Sequence, residues 1–197
     1  MKPSQLIVLT IISISVFYTL VGNPKVVTEI YLITILPALL YGFIKKDPNI
    51  IHISIFLILI NLSEYIIFGY EIISLKAIDI NKVVHGILIY GIQMLISLTA
   101  VAIFIFRVQI SRKISKSEKV DLTYFDGIFH WIFLYTSLVY LAAMIEYTLR
   151  NVFDLPSLIL VYSSYKTLIY LAWALTCGTL LSMVVHSIRS EIKVKVQ

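Results

Sequence analysis

Four ionisable residues, Glu64, His85, Glu146 and Lys166, lie within or at the edge of long apolar runs, where a charge is costly to hold. Two carboxylates, an imidazole and an ammonium in such surroundings can bind an ion, pair with one another or pass a proton. Tyr65, Tyr147 and Tyr165 adjoin three of them in sequence and add hydroxyls that both donate and accept. No other recognisable chemistry accompanies them: GxxxxGK[ST], GxGxxG, HExxH and GxSxG are all absent. The single cysteine, Cys177, excludes an internal disulfide. His52, His130 and His186 are never spaced four apart with another histidine, so no metal site is expected. No cofactor is expected either.

The runs that must position these residues are 5–22, 27–44, 50–69, 84–106, 126–149 and 157–185. Each approaches or exceeds the roughly 20 apolar residues needed to cross a bilayer. Backbone groups in lipid must bond internally, so each run should be helical. Stretches such as Ile53-Ser54-Ile55-Phe56-Leu57-Ile58 do not alternate apolar with polar residues, as barrel strands would. The expected fold is therefore an all-α membrane protein, a bundle of six transmembrane helices built from three helical hairpins. A hydrophobic content of 59% and a charged content of 14% agree with that class, as does a mean hydropathy of +0.94. Soluble domains hold about 25% charged residues. Few prolines and glycines interrupt the chain, so residues 1–197 read as one transmembrane domain. Residues 6–21 resemble the core of a leader peptide in length, but no small-x-small cleavage site follows, and a retained helix is expected.

Charge sets the orientation. With both termini in the cytoplasm, the inner segments carry eleven basic residues: Lys2, Lys45, Lys46, Arg107, Arg112, Lys113, Lys116, Lys119, Arg189, Lys193 and Lys195. The outer segments carry four, namely Lys25, Lys76, Lys82 and Arg150. Basic residues favour the cytoplasmic side, so this orientation is expected. A multi-pass protein of a cell membrane follows, with a prokaryotic cytoplasmic membrane as the expected setting. The net charge of +5 belongs to loops that meet anionic headgroups, and nucleic acid is not an expected partner.

That orientation gives the polar residues a shared level. Counting 1.5 Å per residue, Lys166 lies about 13 Å from the outer end of its run, Glu64 about 8 Å and Glu146 about 6 Å. His85 begins its run on the same side. An outward-facing ion or ligand pocket of Glu64, His85, Glu146 and Lys166 is the expectation, with a Glu64–Lys166 ion pair at its centre. A pair between Glu146 and Arg150, four residues on, is the local alternative. On the inner side, Arg112, Lys113, Lys116 and Lys119 form a basic patch for lipid or partner docking. Residues 107–124 read as an inner loop, and 70–83 as a segment lying on the outer interface.

Three functions fit such a chain. A channel- or transporter-like protein would use the outer pocket for an ion or small solute. A non-catalytic subunit or scaffold would dock a larger partner or form a homo-oligomer. An intramembrane enzyme would use glutamate and histidine as acid and base.

Overall fold

The computed structural model describes residues 3–19, 24–73, 81–115, 120–155 and 157–196, and every element among them is helical. The order is α1 (Pro3–Thr19), α2 (Pro24–Lys45), α3 (Pro48–Glu64), a π-helix over Tyr65–Gly69, α4 (Lys82–Ile105), α5 (Arg107–Ser115), α6 (Asp126–Val152) and α7 (Leu160–Val196). Among the described residues, five segments are long and apolar enough to cross a membrane: Val26–Lys45, Pro48–Gly69, Lys82–Ile105, Asp126–Val152 and Leu160–Ser190. Helix α1 has 17 described residues, and positions 20–22 of the run expected there lie outside the described residues. So do 74–80 of the expected interfacial segment and Pro156.

Short-range chemistry explains the turns. Lys46 adopts φ 53° beyond the end of α2, where Asp47 N–H donates to the Gly42 carbonyl and Lys46 N–H to that of Phe43. This is a left-handed helix stop of the Schellman type. Asp47 then caps α3, its side chain accepting from the N–H groups of Asn49 and Ile50, while Pro48 fills the first helical position. The same stop recurs after α6, with Asp154 at φ 53° and Leu155 N–H donating to the Arg150 carbonyl. Pro37 lies within α2 without ending it, as helices in apolar surroundings allow.

Helix α7 is the hub. It packs against α1, α2, α3 and α6, while α4 and α6 form the tightest pair and α2 lies along α3. Buried Ala172, Ala174, Thr176, Cys177, Thr179 and Ser182 give α7 a slim waist that lets neighbours approach closely. Phe104 of α4 stacks on Phe129 and Phe133 of α6 at 5.1 and 5.5 Å between centroids. Deeper in the same interface, Thr136 Oγ1 and Ser97 Oγ are 3.1 Å apart. By contrast α3 and α4 touch only sparingly, which leaves a groove between them.

The stretch read as an inner loop contains a helix. Phe106 alone separates α4 from α5, and the Ile110 N–H bonds back to the Phe106 carbonyl. The run Arg-Val-Gln-Ile-Ser-Arg-Lys-Ile-Ser is too short and too polar to be a span. It is nonetheless helical because one face is anchored by the buried Arg107 and Ser111.

Candidate functional site

Two polar centres occupy opposite ends of the bundle. One end gathers the close of α3, the π-helix, the start of α4, the close of α6 and the start of α7. The other gathers the α2–α3 turn, the α4–α5 junction, the start of α6 and the last turns of α7 around Ser187, whose hydroxyl is 3.5 Å from Asp47 Oδ2 and 3.3 Å from the Tyr41 hydroxyl.

At the first end, Glu64 is half-buried where α3 widens into the π-helix. Such wide turns are rare and concentrate at functional positions. The carboxyl is within electrostatic reach of three tyrosine hydroxyls from three other helices: Tyr31 of α2, Tyr140 of α6 and Tyr165 of α7. The Tyr165 hydroxyl donates to Gln93 Oε1 at 2.9 Å, which leaves its oxygen able to accept from Tyr140. Rings close around these groups. Tyr31 lies 5.1 Å from Trp173, Tyr140 lies 6.0 Å from Tyr165, and Tyr90 lies 5.6 Å from Tyr165. No cationic side chain pairs with Glu64 among the described residues.

The other three residues expected beside Glu64 take separate roles. Lys166 is exposed on the outside of α7, so the expected Glu64–Lys166 ion pair does not form among the described residues. Its long stem can carry the ammonium toward a headgroup region. Glu146 is buried, and its two oxygens accept from the N–H groups of Val161 and Tyr162 at 2.7 and 2.8 Å. Those donors belong to the first turn of α7, whose amides have no partner within the helix. Glu146 is thus a cap supplied by a neighbouring helix. Arg150, its expected i,i+4 partner, instead sits 5.1 Å over the ring of Tyr162, a cation–π arrangement. His85 is buried, with Nε2 lacking a hydrogen-bond partner among the described residues. Tyr147 lies between these groups, its hydroxyl donating to the Lys82 carbonyl at 3.2 Å and its ring 6.0 Å from Tyr90. Glu29 of α2 is exposed near the same end.

The second end is an ion-paired knot. Arg107 is 1% exposed and Asp126 3%. The guanidinium meets the carboxylate in a fork, Nε to Oδ1 at 2.5 Å and Nη2 to Oδ2 at 2.6 Å. Nη1 donates to Asn49 Oδ1 at 2.9 Å and Nη2 to the Asp121 carbonyl at 2.5 Å. Asp126 Oδ2 also accepts from the N–H and hydroxyl of Thr123 at 2.6 and 2.9 Å. One arginine therefore ties α3, α5, the 120–125 loop and α6 together. Its neighbourhood also holds His52, buried with Nδ1 unpartnered among the described residues. Of the expected basic patch, Arg112 is spent on its own loop, bonding the Val120 carbonyl and Asp121 Oδ1 at 3.0 and 3.1 Å. Lys113 is exposed, and Lys116 and Lys119 lie outside the described residues.

Sequence reasoning passed over Tyr31, Gln93, Tyr140 and the Arg107–Asp126 pair. The last left a readable trace, since Thr123-x-x-Asp126 before an apolar run is a capping-box pattern. Among the described residues no group of three or more His, Cys, Asp or Glu side chains could hold a metal ion. The chain matches no family of known proteins, no curated protein and no solved structure.

Proposed function

We propose that this polytopic membrane protein is channel- or transporter-like and handles an ion or small solute through a pocket on the outer side centred on Glu64. The observation that carries this reading is a carboxylate inside a span with no cationic partner among the described side chains, set at an α-to-π junction and within electrostatic reach of tyrosines of three helices. Holding such a group in an apolar bundle is expensive, and a purely structural carboxyl would be capped or paired, as Glu146 is. The pocket has shifted from its expected membership: Glu64 with Tyr31, Tyr140, Tyr165 and Gln93 replaces the set that included Glu146 and Lys166.

Six spans with both termini in the cytoplasm fit this reading. The end that gathers Lys45, Lys46, Arg107, Arg112, Lys113 and Arg189 then faces inward, and Glu64 faces outward. Helix α1, about 26 Å long over Pro3–Thr19, would supply the sixth crossing. Exposed Lys113 would meet anionic headgroups on the inner face.

The test is flux into liposomes carrying the purified protein, against a panel of cations, anions and neutral solutes. Wild-type protein should move at least one, and Glu64→Gln should abolish that movement while leaving the bundle folded. If no solute moves and Glu64→Gln leaves the cellular phenotype intact, the pocket reading falls. Recovery in fixed stoichiometry with a second protein would favour a subunit role instead.

A further inference from the structure

Resting on that reading, we infer that the ligand is an amphiphilic monovalent cation, an ammonium head on an apolar tail, which reaches Glu64 sideways from the bilayer between α3 and α4. The groove between these helices has a volume of about 230 Å³ and is lined by Leu59, Ile60 and Ser63 of α3 with Ile92, Ile96 and Thr99 of α4 among others. Its two hydroxyls are already used, Ser63 Oγ on the Leu59 carbonyl and Thr99 Oγ1 on the Leu95 carbonyl, both at 2.8 Å. The groove therefore offers its occupant mainly hydrocarbon contact and no free hydroxyl donor. Leu59 and Leu95 on its rim are half exposed, 51% and 58%, so it opens to the surface that lipid covers.

The Glu64 carboxyl follows directly on the groove's last α3 residue, Ser63. Glu64 follows Ile60 by four residues on one helix, which stacks the two side chains on the same face roughly 5–6 Å apart. Gln93, next to Ile92 on α4, marks the same level and is held by Tyr165. Tyr140 lies 6.0 Å from Tyr165, and Tyr31, within electrostatic reach of Glu64, packs 5.1 Å from Trp173. Aromatic faces and a carboxylate both favour a positive charge, and together they select a weakly hydrated cation over a strongly hydrated one. An anion would be repelled by the carboxylate with no arginine to offset it, since Arg150 sits over Tyr162 and Arg107 in the opposite knot. An apolar slot ending in an anionic, aromatic-walled head site fits an alkylammonium.

Binding is read by fluorescence of Trp173 in phosphatidylcholine nanodiscs, with exposed Trp131 replaced by phenylalanine and empty discs as the blank. Octyltrimethylammonium should bind, while octanesulfonate and octyl glucoside, with the same tail, should not. Glu64→Gln should weaken the cation about tenfold or more, and Tyr31→Leu should weaken it where Tyr31→Phe does not. Thr99→Trp, which fills the groove, should weaken octyltrimethylammonium but leave tetramethylammonium unchanged. Equal binding of the sulfonate or the glucoside would overturn the inference. The Glu64 pocket would survive that result if the binding still vanished in Glu64→Gln. No effect of Thr99→Trp would overturn the lateral route, and no binding above the blank would overturn the whole inference, leaving the flux result to decide the pocket separately.

Discussion

Arg107 and Asp126 bury a two-point ion pair at the end of the bundle opposite Glu64, with Nη2 2.6 Å from Oδ2 and neither residue more than 3% exposed. Buried pairs add little against an apolar replacement, yet removing one partner strands the other charge. Arg107→Met should therefore destabilise the protein by about 3–5 kcal/mol, and Asp126→Leu by a similar amount. The double variant should recover a substantial part of that loss. Unfolding in bicelles measures all three, and additive losses would show that the two side chains act independently.

Glu146 illustrates how a membrane carboxylate can be wholly structural. It replaces the missing partners of two amides in the first turn of α7. Glu146→Ala should cost about 0.5–2 kcal/mol, the range seen when a helix cap is lost. Glu146→Gln should cost less than Glu146→Ala, because its one amide oxygen still accepts from one of the two N–H groups, while the second acceptor and the charge–dipole part, about 0.3–1 kcal/mol, are lost. Neither change should reduce cation binding relative to folded protein, whereas Glu64→Gln should. A binding loss in Glu146→Gln equal to that in Glu64→Gln would return Glu146 to the pocket.

Gly86 on α4 is required by the tight α4–α6 contact. A Cβ there would lie 2.1 Å from Cε1 of Tyr147, and the ring is held in place by the Lys82 carbonyl and the face of Tyr90. Gly86→Ala should destabilise by about 1–3 kcal/mol, the usual cost of overpacking. Tyr147→Ala should relieve most of that penalty in the double variant. A neutral Gly86→Ala in thermal unfolding would mean that Tyr147 rotates freely away.

Apolar length made the long helices legible in the sequence, because that effect is local. The rotation of each helix was not legible. Helix α7 is apolar on nearly every face over its central turns, so nothing in its pattern tells which way Lys166 points. Arg107 reads as one more cytoplasmic charge until α5 turns it inward onto Asp126, 19 residues away. Glu146 has a cation four residues on, and only the folded α6–α7 corner shows that it prefers two amides. Glu64 was recognisable as misplaced in lipid, but its tyrosines come from helices that the sequence does not order in space.

The inward orientation of the Arg107 knot carries the functional reading, and it can be checked without knowing any ligand. Lys113 on α5 and Phe153 after α6 are both exposed and lie at opposite ends of the bundle. Cys177, the one native thiol, is 1% exposed, so background labelling by a charged maleimide should be negligible. In intact cells Phe153→Cys should label from outside, and Lys113→Cys should label only after the membrane is opened. The reverse pattern would place Glu64 on the cytoplasmic side and put eleven basic residues outside against four within, contrary to the charge rule. Labelling of both from one side would break the alternation of the spans themselves.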